Sequence, residues 1–186
     1  IDPRRIEEAL KRNKRVKAII PVHMAGQACE MEPILDLAKK YNVKVIEDAA
    51  HALPTTCQGK LVGTLGDLTV FSFYATKTLA TAEGGMVVTE NEDYVKRIKV
   101  MRTHGFSKDA WGRYQEKKAS WRYDIIEAGY KYNMPDVLAS IGIHQLKKID
   151  QFYLKRKMIA DTYHSEFRDL SGIKTPYLSE LKDKHA

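Results

Sequence analysis

Two short segments of this 186-residue sequence put reactive side chains at the ends of apolar runs. In VIEDAAHA, Val45–Ala52, a hydrophobic run delivers Glu47, Asp48 and His51 to its end. In GDLTVFSFYATKTLATAEGGMVVT, Gly66–Thr89, an apolar run ends in Ser72, and Lys77 follows in a polar stretch before Glu83-Gly84-Gly85. A lysine amine is useful when it meets an electrophilic carbonyl. A pyridinium ring needs a carboxylate near its nitrogen. Ser72 can donate to a phosphate, and Gly84-Gly85 permits a tight backbone approach. The pair Asp48 and Lys77 therefore matches pyridoxal phosphate chemistry better than metal chemistry. Each residue alone has an ordinary alternative: Asp48 as a cap on the next helix, Lys77 as a surface lysine.

Other chemistries find less support. The six histidines (23, 51, 104, 144, 164 and 185) form no HExxH, and there is no CxxC, so no metal site is expected. Ser72 lies in FSFYA, not in a G-x-S-x-G elbow, and no P-loop or GxGxxG occurs. The excess of 31 Lys+Arg over 24 Asp+Glu is spread along the chain and shows no basic stripe with interleaved aromatics, so a nucleic-acid partner is not expected. No apolar run is long enough to cross a membrane as a helix. Two cysteines, Cys29 and Cys57, are too few for a disulfide scaffold and point to a reducing compartment, hence the cytoplasm.

The elements that must position these residues alternate between helix and strand. Helices are expected at Arg4–Leu10 and Met31–Tyr41, the latter with Met31, Ile34, Leu35 and Ala38 on one stripe. Buried strands are expected at Val16–Val22, Val43–Ile46, Leu68–Phe73 and Gly85–Thr89, followed by a helix from Glu92 to Arg102. The pattern predicts an α/β domain, in which ligands sit at the carboxyl ends of strands. From Thr103 to Pro135 periodicity disappears, while Phe106, Trp111, Tyr114, Trp121, Tyr123, Tyr130 and Tyr132 accumulate. Such a loop reads as an interface or substrate wall. Helices resume at Asp136–Lys148, with Val137, Ile141, His144 and Leu146 among its less solvent-facing residues, and at about Asp150–Leu170.

Three blocks in order, PVHMAGQACEMEPILDLAKKYNVKVIEDAAHA, FSFYATKTLATAEGGMVVT and EAGYKYNMPDVLASIGIHQLKKID, resemble the DegT/DnrJ/EryC1/StrS family of sugar aminotransferases. The resemblance implies a fold-type I large domain, an α/β/α sandwich with a mostly parallel sheet, incomplete at both ends. It implies pyridoxal 5'-phosphate as cofactor and transfer of an amino group, with glutamate as donor, to a nucleotide-linked keto-deoxysugar for cell-surface polysaccharides or antibiotic sugars. The alternative is a non-catalytic chain that keeps the fold as an interaction or dimerisation module.

By the same resemblance, Lys77 bonds the cofactor's aldehyde and moves a proton, and Asp48 pairs with the ring nitrogen. His51 stands near the cofactor's phenolic oxygen and Ser72 on its phosphate. Asn133 reaches the phosphate of a neighbouring subunit's cofactor, which implies a homodimer with shared active sites. His23 in the PVHxxG motif, Glu83 and Tyr132 are expected at the substrate pocket. Pro54 and Ala82 stand where the family usually has glycine. The implied division is 1–103 within the cofactor-binding domain, 104–135 as an interface or substrate loop, 136–175 as helices leading to a small domain, and 176–186 as that domain's start. The phosphate-gripping Gly-Thr segment of the family is expected to precede this stretch.

Overall fold

The computed structural model describes residues 1–107, 123–176 and 183–186; Trp111, Tyr114 and Trp121 lie outside them. Two compact units emerge, one of Ile1–Val88 with Asp136–Ala186, the other Thr89–Pro135.

In the first unit, helix α1 (Pro3–Arg12) starts where Asp2 accepts the Arg4 amide at 2.9 Å, with Pro3 at a position that needs no amide donor. Its Ile6 and Leu10 meet Met31, Ile34 and Ala38 of α2 (Met31–Tyr41), together with Ile19, Val45 and Cys57, in the main core. Strands β1 (Ala18–Ile19) and β2 (Lys44–Asp48) run parallel. A hairpin, β3 (Thr56–Cys57) and β4 (Lys60–Leu61), precedes β5 (Leu68–Ser72) and β6 (Gly85–Val88). The four-stranded sheet has the order β1-β2-β5-β6, with β5 parallel to β2 and β6 antiparallel at the edge. Gly85 pairs with Ser72, and a Cβ there would lie 2.9 Å from the Phe71 carbonyl, so only glycine lets β6 approach here.

The hairpin was not among the expected elements, although its signal is present. Gln58 and Gly59 have φ of 51° and 78°, the double left-handed geometry that a two-residue turn between strands requires. The run Val16–Val22 shortens to β1, with Val22 rejoining β2 through a single bridge to Asp48. Ile20, Val22 and Val70 are exposed on the face of the sheet that also carries Asp48.

Helices α4 (Asp136–Leu146) and α5 (Ile149–Phe167) form as expected but bury no residue. Val137, Ile141, His144 and Leu146 are exposed, contrary to the expectation for this helix. Apolar side chains at 137, 138, 141, 143 and 146 surround the α4 axis, so no single stripe meets the core. No helix among the described residues is long and apolar enough to cross a membrane.

The second unit opens with α3 (Glu92–Met101), capped by Asn91, whose side chain accepts the Asp93 and Tyr94 amides at 2.9 and 3.1 Å. The stretch without periodicity then folds back on itself. Thr103 bridges Lys131, Phe106 bridges Ile125, and the Tyr130 amide donates to the Met101 carbonyl at 2.6 Å. Phe106 packs on Tyr123 with ring centroids 4.3 Å apart.

Candidate active site

Alternation along β2 sends its two terminal carboxylates to opposite faces. Glu47 shares the core face with Val45 and is fully buried, while Asp48 is half-buried on the other. Register extends this geometry across the sheet: Glu47 pairs with Thr69 and Asp48 with Val70, so Ser72, two residues beyond Val70, shares the Asp48 face. Asp48 and Ser72 thus emerge on one face, two positions apart in register, at the carboxyl edge of two parallel strands, where open α/β sheets bind ligands.

One Asp48 oxygen accepts the Ala50 amide at 3.1 Å, which makes it the cap of a turn. Its other oxygen has no partner among the described residues. Among the described residues Ser72 Oγ meets only the Tyr74 amide, at 3.4 Å. His51 accepts the Ala25 amide at Nδ1, 3.3 Å away, which places the proton of the neutral ring on Nε2, a nitrogen with no partner among the described residues.

Lys77 lies on the excursion between β5 and β6. The base of that excursion is closed by backbone bonds, Phe73 N–H to Gly84 O and Thr81 N–H to Phe73 O, both 2.8 Å. The Thr78 hydroxyl donates to the Leu53 carbonyl, tying the lysine's neighbour to the segment that carries Asp48 and His51. Arg156 of α5 donates to the Thr78 carbonyl at 3.5 Å. Lys77 is half-buried, and its amine has no partner among the described residues. Glu83 is exposed, and Ala82 beside it has φ of 69°. Pro54 follows Leu53 in a cis peptide.

His23 departs from its expected place at a pocket wall. It is fully buried, with Nε2 3.0 Å from Glu47 Oε2 and Nδ1 accepting the Cys29 amide at 3.0 Å, so neither ring nitrogen is free for a ligand. Glu47 Oε1 accepts from the Gly66 amide and the Thr69 hydroxyl, both at 2.8 Å. Burial pushes the Glu47 pKa upward, but these donors and His23 outweigh it and leave the pKa below the ordinary carboxylate value. Burial also disfavours a charged His23 ring, and the Cys29 and Glu47 interactions that would draw its pKa up to about 9 favour only a ring protonated on both nitrogens. The Cys29 amide decides the form present, because an N–H aimed at Nδ1 needs a lone pair there. The ring is the neutral Nε2–H tautomer, donating to Glu47. This buried couple is the feature that sequence reasoning missed; its signal was two polar residues, His23 and Glu47, at the ends of neighbouring apolar runs.

Asn133 and Tyr132 belong to the second unit, where both are exposed and Tyr132 stacks on Tyr130 with centroids 5.1 Å apart. The first unit thus gathers Asp48, His51, Ser72 and the Lys77 loop at one sheet edge. A carboxylate with an open oxygen, a free amine and a hydroxyl are the donor set that a pyridinium, an aldehyde and a phosphate require, so these residues fit pyridoxal phosphate.

The fold and the sequence both have known counterparts. The chain is 45% identical over 180 residues to the spore coat polysaccharide biosynthesis protein SpsC of Bacillus subtilis, a match covering 97% of the chain and 46% of that protein. It is 40% identical over 185 residues to the UDP-4-amino-4,6-dideoxy-N-acetyl-beta-L-altrosamine transaminase of Campylobacter jejuni, covering 99% of the chain and 46% of that protein. Among solved structures, Streptococcus pneumoniae Spr1654 in its PMP form superposes with a TM-score of 0.84 at 32% identity, over 97% of this chain and 49% of that one. Its PLP form gives 0.83 at 30% identity, over 100% and 49%. The chain spans about half the length of the curated relatives it matches. The α/β fold with its mostly parallel sheet is therefore that of sugar aminotransferases, and the family model covers residues 1–186: the chain belongs to the DegT/DnrJ/EryC1/StrS aminotransferase family.

Proposed function

We propose that this chain is part of a pyridoxal-phosphate-dependent aminotransferase that moves an amino group from glutamate to the keto group of a nucleotide-linked deoxysugar. The products serve cell-surface polysaccharide or antibiotic sugar biosynthesis in the cytoplasm. The observation that carries the reading is the convergence of an open Asp48 oxygen, Ser72 and the Lys77 loop at one sheet edge. The named activity of the Campylobacter relative supports the substrate class, and the PLP and PMP forms of Spr1654 support the cofactor.

When bound, the cofactor supplies an aldehyde that takes up the amino group and a ring that accepts an electron pair. Asp48 holds the proton on the ring nitrogen through its open oxygen. Lys77 would hold the cofactor through its amine and, once that amine is released by the incoming amino group, would move a proton between the substrate carbon and the cofactor's reacting carbon. His51 offers its Nε2 proton to the phenolic oxygen, and Ser72 donates to the phosphate. Glu83 and Tyr132 contact substrate. Asn133 serves the site of a second copy, with 104–135 as the arm that reaches it, so the working unit is a homodimer with shared sites.

In the full-length protein, added pyridoxal phosphate should give a visible absorbance band, and borohydride should fix the cofactor covalently on Lys77. Lys77→Ala should remove the band and lower turnover by about a thousandfold or more. Wild-type protein without the band would favour the non-catalytic alternative.

A further inference from the structure

Four elements of the candidate site meet behind the sheet at one buried couple. Glu47 ends β2 on the core side, and His23 follows Val22, whose bridge to Asp48 extends the β1–β2 pairing. The His23 amide donates to the Asp48 carbonyl at 3.0 Å and the Asp48 amide to the Pro21 carbonyl at 2.9 Å. Glu47 Oε1 holds Thr69 of β5, three residues before Ser72, and the Gly66 amide that leads into that strand. The His23 ring holds the Cys29 amide and so closes the loop whose Ala25 amide meets His51.

We propose that the His23–Glu47 couple is a positioning device for the cofactor site, fixing where Asp48, His51 and Ser72 stand without touching the cofactor. The inference rests on the cofactor reading above. Its physical ground is the choice of groups. Packing alone would join these strands with apolar side chains of similar volume, often with equal or greater stability. A satisfied buried network instead imposes direction: Glu47 accepts from three donors on two separate segments, and each bond fixes an angle as well as a distance. Displacement by fractions of an ångström matters little to a core and much to a site that must meet a ring nitrogen, a phenolic oxygen and a phosphate together.

The test compares variants of the full-length protein in spectral titrations with pyridoxal phosphate, well below their unfolding midpoints. Glu47→Gln keeps volume and one acceptor oxygen for Gly66 and Thr69, but sets its amide N–H against the His23 N–H. Ile34→Ala opens the core within α2 without removing any hydrogen bond of the network, and serves as the control for lost stability. Glu47→Gln should weaken cofactor binding about tenfold or more and shift the pH midpoint of the absorbance band. Ile34→Ala, with at least as large a loss in unfolding midpoint, should leave both within about threefold or unchanged. Should Glu47→Gln fail to fold, Thr69→Val, which removes one bond to Glu47, should weaken binding measurably. Equal cofactor affinity in the folded network variant and in Ile34→Ala overturns the inference while the cofactor reading stands. Loss of the band in wild type overturns both.

Discussion

Glu47 and Asp48 are neighbours of the same chemical type, and the pleat of β2 gives them opposite surroundings. On the core side, a carboxylate is fully buried and each oxygen has a protein donor. On the open side, a carboxylate keeps one oxygen without a partner among the described residues. The difference teaches that a strand-end acid pair is not two candidates for one role. The buried acid organises, and the open acid is available to a ligand. Proximity in sequence carries no information about which is which until the face is known.

The largest expected effect comes from exchanging what each acid supplies. Glu47→Ala leaves the Gly66 amide, the Thr69 hydroxyl and the His23 N–H unpaired in the interior, and should cost about 3 kcal/mol or more in urea unfolding. Asp48→Asn keeps an acceptor for the Ala50 amide, and its stability should stay within about 0.5 kcal/mol of wild type. Turnover should respond in the other direction: Asp48→Asn should lose about a hundredfold or more while remaining fully folded. A stability loss in Asp48→Asn comparable to that in Glu47→Ala would erase the distinction between the two faces.

Titration of stability sharpens the same contrast, with a smaller effect. The Glu47 pKa is lower folded than its ordinary value of 4.5, so its contribution is complete above about that pH and is lost as pH falls through the folded value. His23 decides the alkaline side. A ring charged up to about 9 would add stability present below 6.5 and lost as pH rises through 9. The neutral tautomer required by the Cys29 amide adds none there. Unfolding free energy, with Glu47→Gln as reference, should therefore fall in acid and stay flat between those two values. A decline across the alkaline window that the variant lacks would show the ring to be charged.

Much of this was legible in the sequence, for reasons that also explain the rest. Apolar runs that end in polar residues brought the expected strands to within two residues of the observed ends at Asp48 and Ser72, and the α2 stripe of Met31, Ile34 and Ala38 was readable because a 3.6-residue period survives any tertiary context. Long-range partnership has no such period. That Glu47 would meet His23, 24 positions away, and Thr69, 22 positions away, follows from parallel register, which the linear pattern does not encode. The exposure of Val137 and Leu146 was equally hidden, since burial depends on what packs against a helix and not on its own composition.

Ala82 provides the smallest test, on the open side of the comparison. Its φ of 69° lies in the left-handed region, which costs a side-chain-bearing residue about 1 kcal/mol. The conformation is held from both sides: the Thr81 amide donates to the Phe73 carbonyl at 2.8 Å, and the Thr81 hydroxyl donates across Ala82 to the Glu83 carbonyl at 2.8 Å. Glycine would relieve the strain in the folded chain but would gain freedom in the unfolded one. Ala82→Gly should therefore raise stability by no more than about 1 kcal/mol. Ala25, with φ of 53°, sits on the loop that the buried couple organises, so Ala25→Gly should show the same sign if backbone strain alone is at work. A gain at Ala82 with a loss at Ala25 would mean that the His51 contact depends on a stiff loop, a cost that the core side imposes and the open side does not.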